Sequence, residues 1–184
     1  QGLCEGLDRL ANLEEVHKAL FSLHPNKAPG PDGFNGLFFR RAWSVVGADV
    51  TEAVLEFFRS GKLLREANGS IISMIPKVTH ACSLTDFRPI SCYNTIYKCI
   101  SKILASRLRL ILPSCINKAQ SAFIHGRHIS DNILLAQELM RGYHLELGIP
   151  RCAFKIDFFN AFDSVRWEFI WDALELLGFL ARFS

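Results

Sequence analysis

Only two stretches of this chain read as β-strand, and they lie far apart. Ser70 to Lys77 is apolar and β-branched and is stopped by Pro76, and Cys152 to Asp157 alternates around a buried-looking strand. Nearly everything else reads as helix or as turn-rich loop. A compact domain would want a third or fourth strand. The pattern therefore predicts a helix-rich α+β chain with an unfinished sheet, its strands free to pair with others outside the segment.

The helical periodicity is explicit. Asn12 followed by Glu15 predicts a capping box opening a helix to about Leu23, with Leu13, Val16, Leu20 and Leu23 on one face. Pro25 to Gly33 holds three prolines and two glycines and predicts a stiff loop. Helices are expected over about 36–46 and 49–60, the second ending at Gly61. Residues 78–92 read as a polar loop. A long amphipathic helix is expected over about 94–112, with Ile96, Ile100, Ile103, Leu104, Leu108 and Ile111 as its stripe and Pro113 as its end. Residues 119–128 read as irregular. A helix capped by Ser130 or Asp131 should then run to about Leu147 and break at Gly148-Ile149-Pro150. The last helix is expected from about Val165 to Leu177, with Gly178 as its C-cap.

Composition excludes several classes. Of 184 residues, 49% are hydrophobic and 15 are Phe, enough apolar surface for a folded core rather than a disordered tail. No apolar run reaches the roughly 18 residues of a membrane-spanning helix. The start, Gln1-Gly2-Leu3-Cys4-Glu5, resembles neither a signal peptide nor an initiator methionine, so an internal cut is expected. The six cysteines form no CxxC pair, which predicts ordinary buried thiols in a reducing compartment and no zinc site.

Charge is uneven. Residues 61–130 carry ten basic and two acidic side chains (Glu66 and Asp86), a local +8 within a net charge of +3. The flanking segments are slightly acidic. A basic middle suggests a face for a polyanion, with a merely solvated cationic surface as the bland alternative.

Three segments could carry chemistry. In Phe154-Lys155-Ile156-Asp157-Phe158-Phe159-Asn160-Ala161-Phe162-Asp163, a carboxylate ends an apolar strand before a tight turn. Such a site can hold a metal ion, with free backbone N–H groups facing a polyphosphate; alternatively Asp157 is a turn former, and Asp163 reads as an N-cap. Lys77 and Arg88 could converge on a triphosphate as point charge and fork, or Arg88 could pair with Asp86 or Asp131. In Gln120 to His128, Gly126 permits close backbone approach, and Gln120 and Arg127 can contact phosphate or sugar. His125 and His128 have no third partner that would make them metal ligands.

Taken in order, Lys27-Ala28-Pro29-Gly30-Pro31-Asp32-Gly33, Ile75-Pro76-Lys77, Phe87-Arg88-Pro89-Ile90-Ser91, Gln120…Gly126-Arg127 and Lys155-Ile156-Asp157…Ala161-Phe162-Asp163 resemble the reverse transcriptases of non-LTR retrotransposons. The plant LINE type is the nearest flavour, through Tyr97-Lys98-Cys99-Ile100, Asp131 to Ala136 and Arg166-Trp167. The resemblance covers roughly residues 12–178.

The resemblance implies the fingers and first part of the palm of a right-hand polymerase: residues 1–11 a flank, 12–150 fingers, 151–184 the start of the palm. It makes Asp157 the first catalytic aspartate and a ligand of two Mg²⁺ ions. Lys77, Arg88 and the backbone of Phe158, Phe159, Asn160 and Ala161 would meet the incoming deoxynucleoside triphosphate. Phe162 would be the gate under the sugar that excludes a 2′-hydroxyl. Lys27, Gly30, Asp32, Gln120, Gly126 and Arg127 would touch the template, so the implied partners are an RNA template and a DNA primer. Nuclear access is implied too, without a targeting signal in the segment.

Departures accompany it: Ala122 stands where Gly is usual, His125 where Pro is common, and Phe159 and Asn160 at often polar or basic positions. The family's second carboxylate pair is expected beyond Ser184. The chain as given is therefore expected not to polymerise DNA alone. A non-catalytic template-binding fragment and a translated relic are the alternatives.

Overall fold

A computed structural model describes residues 9–143, 152–157 and 164–177. The chain divides into two compact units, Arg9–Arg107 and the part from Leu108 onward. The division falls inside one long helix.

The first unit is a helical core carrying a β-ribbon. Helix α1 (Leu13–Ser22) starts where expected: Asn12 Oδ1 accepts from Glu15 N at 2.8 Å, and Glu14 and Glu15 sit favourably in the first turn. The reciprocal half of the capping box is missing, because the Glu15 carboxylate turns to Arg107 instead. Val16, Ala19 and Leu20 are buried, whereas Leu13 is exposed. Arg40 donates from Nη2 to the Phe21 carbonyl at 2.6 Å and also to that of Leu23, closing the C-terminal end of α1.

Helices α2 (Gly36–Arg41) and α3 (Trp43–Ser60) meet at Ala42, earlier than the periodicity suggested. The expected break near Gly47 is absent; this glycine is buried within α3. A Cβ there would lie 2.8 Å from the Trp43 indole, which is held edge-on by His17 and Phe21. Gly47 thus serves packing. Gly47→Ala is expected to lower stability by about 1–2 kcal/mol in chemical denaturation, because overpacking outweighs the better helix propensity of alanine. An increase in stability would mean that the Trp43 ring moves aside freely.

A short helix α4 (Arg65–Asn68) leads into β1 (Ser70–Pro76), which pairs antiparallel with β2 (Phe87–Tyr93) from Ser70↔Tyr93 to Pro76↔Phe87. The expected polar loop over 78–92 is therefore half strand. A 3₁₀ turn (Leu84–Asp86) links the strands and is closed by a Ser83–Asp86 capping box. Each strand of a two-stranded ribbon is an edge, so Pro76 and Pro89 are tolerated.

Helix α5 (Thr95–Cys115) follows directly and carries Pro113 within its last turn rather than ending before it. Its first half buries Cys99, Ile100 and Ile103 against Val16, Leu20, Phe39, Val50 and Val54. At roughly 25 cal/mol per Å² of apolar surface removed from water, such side chains contribute about 1.5–3 kcal/mol each. Burial pushes the Cys99 thiol up to about 12. That thiol matches the expectation of buried cysteines, but Cys82 and Cys152 are exposed and do not.

In the second unit, Ile111 is buried with Leu108, Cys115 and Leu174 around it. Helix α6 (Ile129–Leu139) has His128 at its N-cap, not Ser130 or Asp131, and ends well before Leu147, ahead of a turn in which Gly142 takes φ +67°. Helix α7 (Trp167–Leu176) matches the last expected helix. Residues 152–157 form no strand and are exposed, which corrects the second β assignment. The strand period was present in the sequence, but no described strand pairs with it. The expected Gly148–Pro150 break, the Asp163 N-cap and the Gly178 C-cap lie outside the described residues.

Candidate functional site

The ribbon does most to assemble expected site residues. With Ile75 opposite Arg88 and Pro76 opposite Phe87, alternation places Lys77 and Arg88 on one face. Both are exposed. Lys77 is tied down by its backbone N–H to the Asp86 carbonyl at 2.7 Å and by Nζ to the Thr85 carbonyl at 2.8 Å. Asp86 does not pair with Arg88. Its carboxylate accepts from Ser83 N at 2.9 Å and Cys82 N at 3.1 Å, and these bonds, helped by Lys77, hold it below the usual carboxylate range. Among the described residues Arg88 forms no ion pair with Asp86 or Asp131.

The loop Lys27 to Gly33 is fixed from behind by a residue the sequence reading did not single out. Asn94, at the junction of β2 and α5, is 4% exposed. Its Oδ1 accepts from Asp32 N at 3.2 Å, and its Nδ2 donates to the Glu66 carbonyl at 2.8 Å. A Cβ on the buried Gly30 would collide with Asn94. Asp32 Oδ1 accepts from Phe34 N at 3.0 Å, an Asx turn that stiffens the loop's exit. Thr95 Oγ1 donates to the Phe34 carbonyl at 2.8 Å and Lys98 Nζ to the Ala28 carbonyl at 2.7 Å. The structure thus gives Gly30 and Asp32 architectural work of their own, while Lys27 stays exposed. The missed signal was an Asn-Thr pair ahead of a long helix.

Arg127 likewise has an internal task. Its guanidinium donates to four carbonyls, those of Asn117 and Gln120 at 2.6 Å and of Pro113 and Ile116 at 3.0 Å, gathering the end of α5. Gly126 adopts φ +78°, a conformation that favours glycine, and Gln120 Nε2 donates to the Ala122 carbonyl at 3.2 Å. Arg109 is hydrogen-bonded to His125. Several cations of the basic middle therefore organise the fold.

Asp157 lies in the second unit, exposed and in no regular element. Phe158 to Phe162, with the proposed gate and nucleotide-facing amides, lie outside the described residues. Among the described residues no group of three His, Cys, Asp or Glu side chains comes together to hold a metal ion. One carboxylate does not make a two-ion site, so the described residues alone do not fit the implied metal pair. No helix among them is long and apolar enough to cross a membrane.

The site is thus a two-stranded ribbon that presents Lys77 and Arg88 on one face of a mixed helix–strand segment. Residues 75–182 match the reverse transcriptase (RNA-dependent DNA polymerase) family, and the chain belongs to that family. It is 30% identical over 179 residues, 97% of its length, to the transposon TX1 uncharacterized 149 kDa protein of Xenopus laevis. It is 28% identical over 155 residues, 83% of its length, to the retrovirus-related Pol polyprotein from type-2 retrotransposable element R2DM of Drosophila melanogaster. The chain spans 14% of the length of each. The resemblance to reverse transcriptases of non-LTR retrotransposons is borne out.

Proposed function

We propose that this chain contributes the fingers and the first part of the palm to an RNA-directed DNA polymerase of a retrotransposon. The observation that carries the reading is where the family match falls: it opens at the ribbon that presents Lys77 and Arg88 together and runs through Asp157. Our division places fingers at 12–150 and the start of the palm at 151–184. The habits of Tyr97-Lys98-Cys99-Ile100 keep the plant LINE type as our subgroup reading.

In this reading Lys77 and Arg88 neutralise the triphosphate of a deoxynucleotide, Lys77 as a point charge and Arg88 as a fork. Positioning is their contribution, since holding reactants in line removes much of the barrier. The loop fixed by Asn94 and the turn around Gln120, Gly126 and Arg127 would lie along the RNA template, with a DNA primer as the second strand. Backbone and 2′-hydroxyl contacts would hold the template with little sequence readout. Asp157 would be one carboxylate of a divalent-ion site, Mg²⁺ in our reading, completed by ligands other than the described residues. Phe162 would exclude a 2′-hydroxyl by volume.

The test uses a longer polypeptide that carries this segment together with the family's second carboxylate motif. Arg88→Ala should raise the KM for deoxynucleotides by about tenfold or more, the scale of one charge-assisted hydrogen bond of about 1.5–3 kcal/mol, while template affinity changes little. Phe162→Val should relax discrimination against ribonucleotides. Unchanged KM and unchanged discrimination would remove both residues from the nucleotide site.

A further inference from the structure

A groove of about 570 Å³ opens in the first unit between the end of α1, the loop after it and one face of α5. Lys27, Lys98 and Lys102 line it, together with Tyr93, Tyr97 and Ser101. Lys98, Ser101 and Lys102 follow the i, i+3, i+4 spacing of a single helix face. Cys99 and Ile103, between and beyond them, are buried in the core, so that face cannot rotate away. Lys98 Nζ is anchored on the Ala28 carbonyl at 2.7 Å, which leaves its other two donors available. Lys27 and Lys102 are exposed. The described lining contains no Asp or Glu, and none of the three lysines is in an ion pair among the described residues. The positive potential of the groove is therefore uncompensated locally.

Beside the lysines, the Tyr93 and Tyr97 rings stack at 4.3 Å with an interplanar angle of 15°, both half-buried. A cationic track next to a rigid aromatic ledge matches a ligand with regularly spaced negative charges and flat rings. An acidic peptide would use the lysines but leave the ledge idle. We infer that this groove binds a single-stranded polynucleotide, its phosphates along Lys27, Lys98 and Lys102 and a base against the Tyr93–Tyr97 pair. Of the residues assigned to template or nucleotide it uses only Lys27. It rests on the proposed function for the premise of a nucleic-acid partner and shares Lys27 with it, while Tyr93, Tyr97, Lys98 and Lys102 are its own.

The experiment measures binding of fluorescently labelled 20-mers of uridine and of thymidine to the 184-residue chain by anisotropy across a salt series. Lys27→Ala combined with Lys102→Ala should lower the slope of log K against log salt by about 1.4, roughly 0.7 for each phosphate no longer neutralised. Tyr97→Leu should weaken binding about tenfold, whereas Tyr97→Phe should bind like the parent. Lys98 is left in place because it anchors the loop. If the double variant does not fold, Lys102→Ala alone, at an exposed position, should lower the slope by about half as much. Weaker binding of both 20-mers supports the groove, and a larger effect with uridine identifies RNA as its strand. Wild-type slopes and affinities in every variant overturn it, as does displacement of the 20-mers by polyglutamate with equal potency. A chain that binds neither 20-mer also overturns it. The Arg88 and Phe162 tests stand or fall separately.

Discussion

Arg107→Ala is expected to destabilise the unit built from Arg9 to Arg107 by about 3–5 kcal/mol, the scale for breaking a buried pair by removing one partner. The Arg107 side chain is 5% exposed and that of Glu15 19%. The guanidinium grips the carboxylate as a fork, Nε to Oε1 at 2.9 Å and Nη2 to Oε2 at 2.7 Å, and donates from Nη1 to the Arg9 carbonyl at 2.6 Å. Its carbon lies 4.8 Å from the centre of the Phe58 ring. Alanine would leave the Glu15 carboxylate facing the core without its main counter-charge, and lysine would restore the charge but not the fork. Chemical denaturation should therefore rank wild type above Arg107→Lys and that above Arg107→Ala. A destabilisation below about 1 kcal/mol for alanine would mean that water replaces the pair, as it does for surface pairs.

The same ion pair sets a pH dependence. Hydrogen bonding from Arg107 holds the Glu15 carboxyl below its usual range. A group whose pKa is depressed by folding contributes stability above its unfolded value, about 4.3 for Glu, and loses it as pH falls through the lower folded value. Glu15→Gln should remove that part of the acid sensitivity.

The second large effect concerns Asp157. In the longer polypeptide, Asp157→Ala should reduce primer extension to background while RNA affinity and folding stay close to wild type. The physical reason is separation of roles. Asp157 is exposed among the described residues, so its removal should cost little stability. The basic ribbon and the lysine groove belong to the other unit and keep their charges. Extension measured beside RNA binding decides the matter: surviving extension would show that Asp157 is not a metal-binding carboxylate of the proposed polymerase.

The helical half of the fold was legible because it is local. Asn12 caps α1, Val16 and Leu20 turn inward, and Ile100 and Ile103 carry the stripe of α5, all consequences of a 3.6-residue period. The ribbon was half legible. Ser70–Pro76 has β-branched residues in sequence, but Phe87–Tyr93 mixes Arg, Pro and Ser, and only pairing with β1 makes it a strand. Residues 152–157 show the converse, a strand-like period without a described partner. Pro113 misled too: it lacks an N–H but stands only two residues before the end of α5, where Arg127 gathers the carbonyls of Pro113 and Ile116.

By itself, then, the sequence determined the family, the helices, the basic middle and the order of the chemical motifs, because these are properties of composition and of short-range spacing. Tertiary structure alone decided which cations face outward. It turned Arg107 onto Glu15 and Arg127 onto the end of α5, set Lys77 beside Arg88, and left Lys98 and Lys102 along a tyrosine-lined groove. The reason is that a charge count has no direction. Whether a guanidinium meets a carboxylate, a helix end or a ligand depends on partners outside its own turn of helix or strand, 11 positions away for Arg127 and Ile116 and 92 for Arg107 and Glu15, and only the packed chain brings those together.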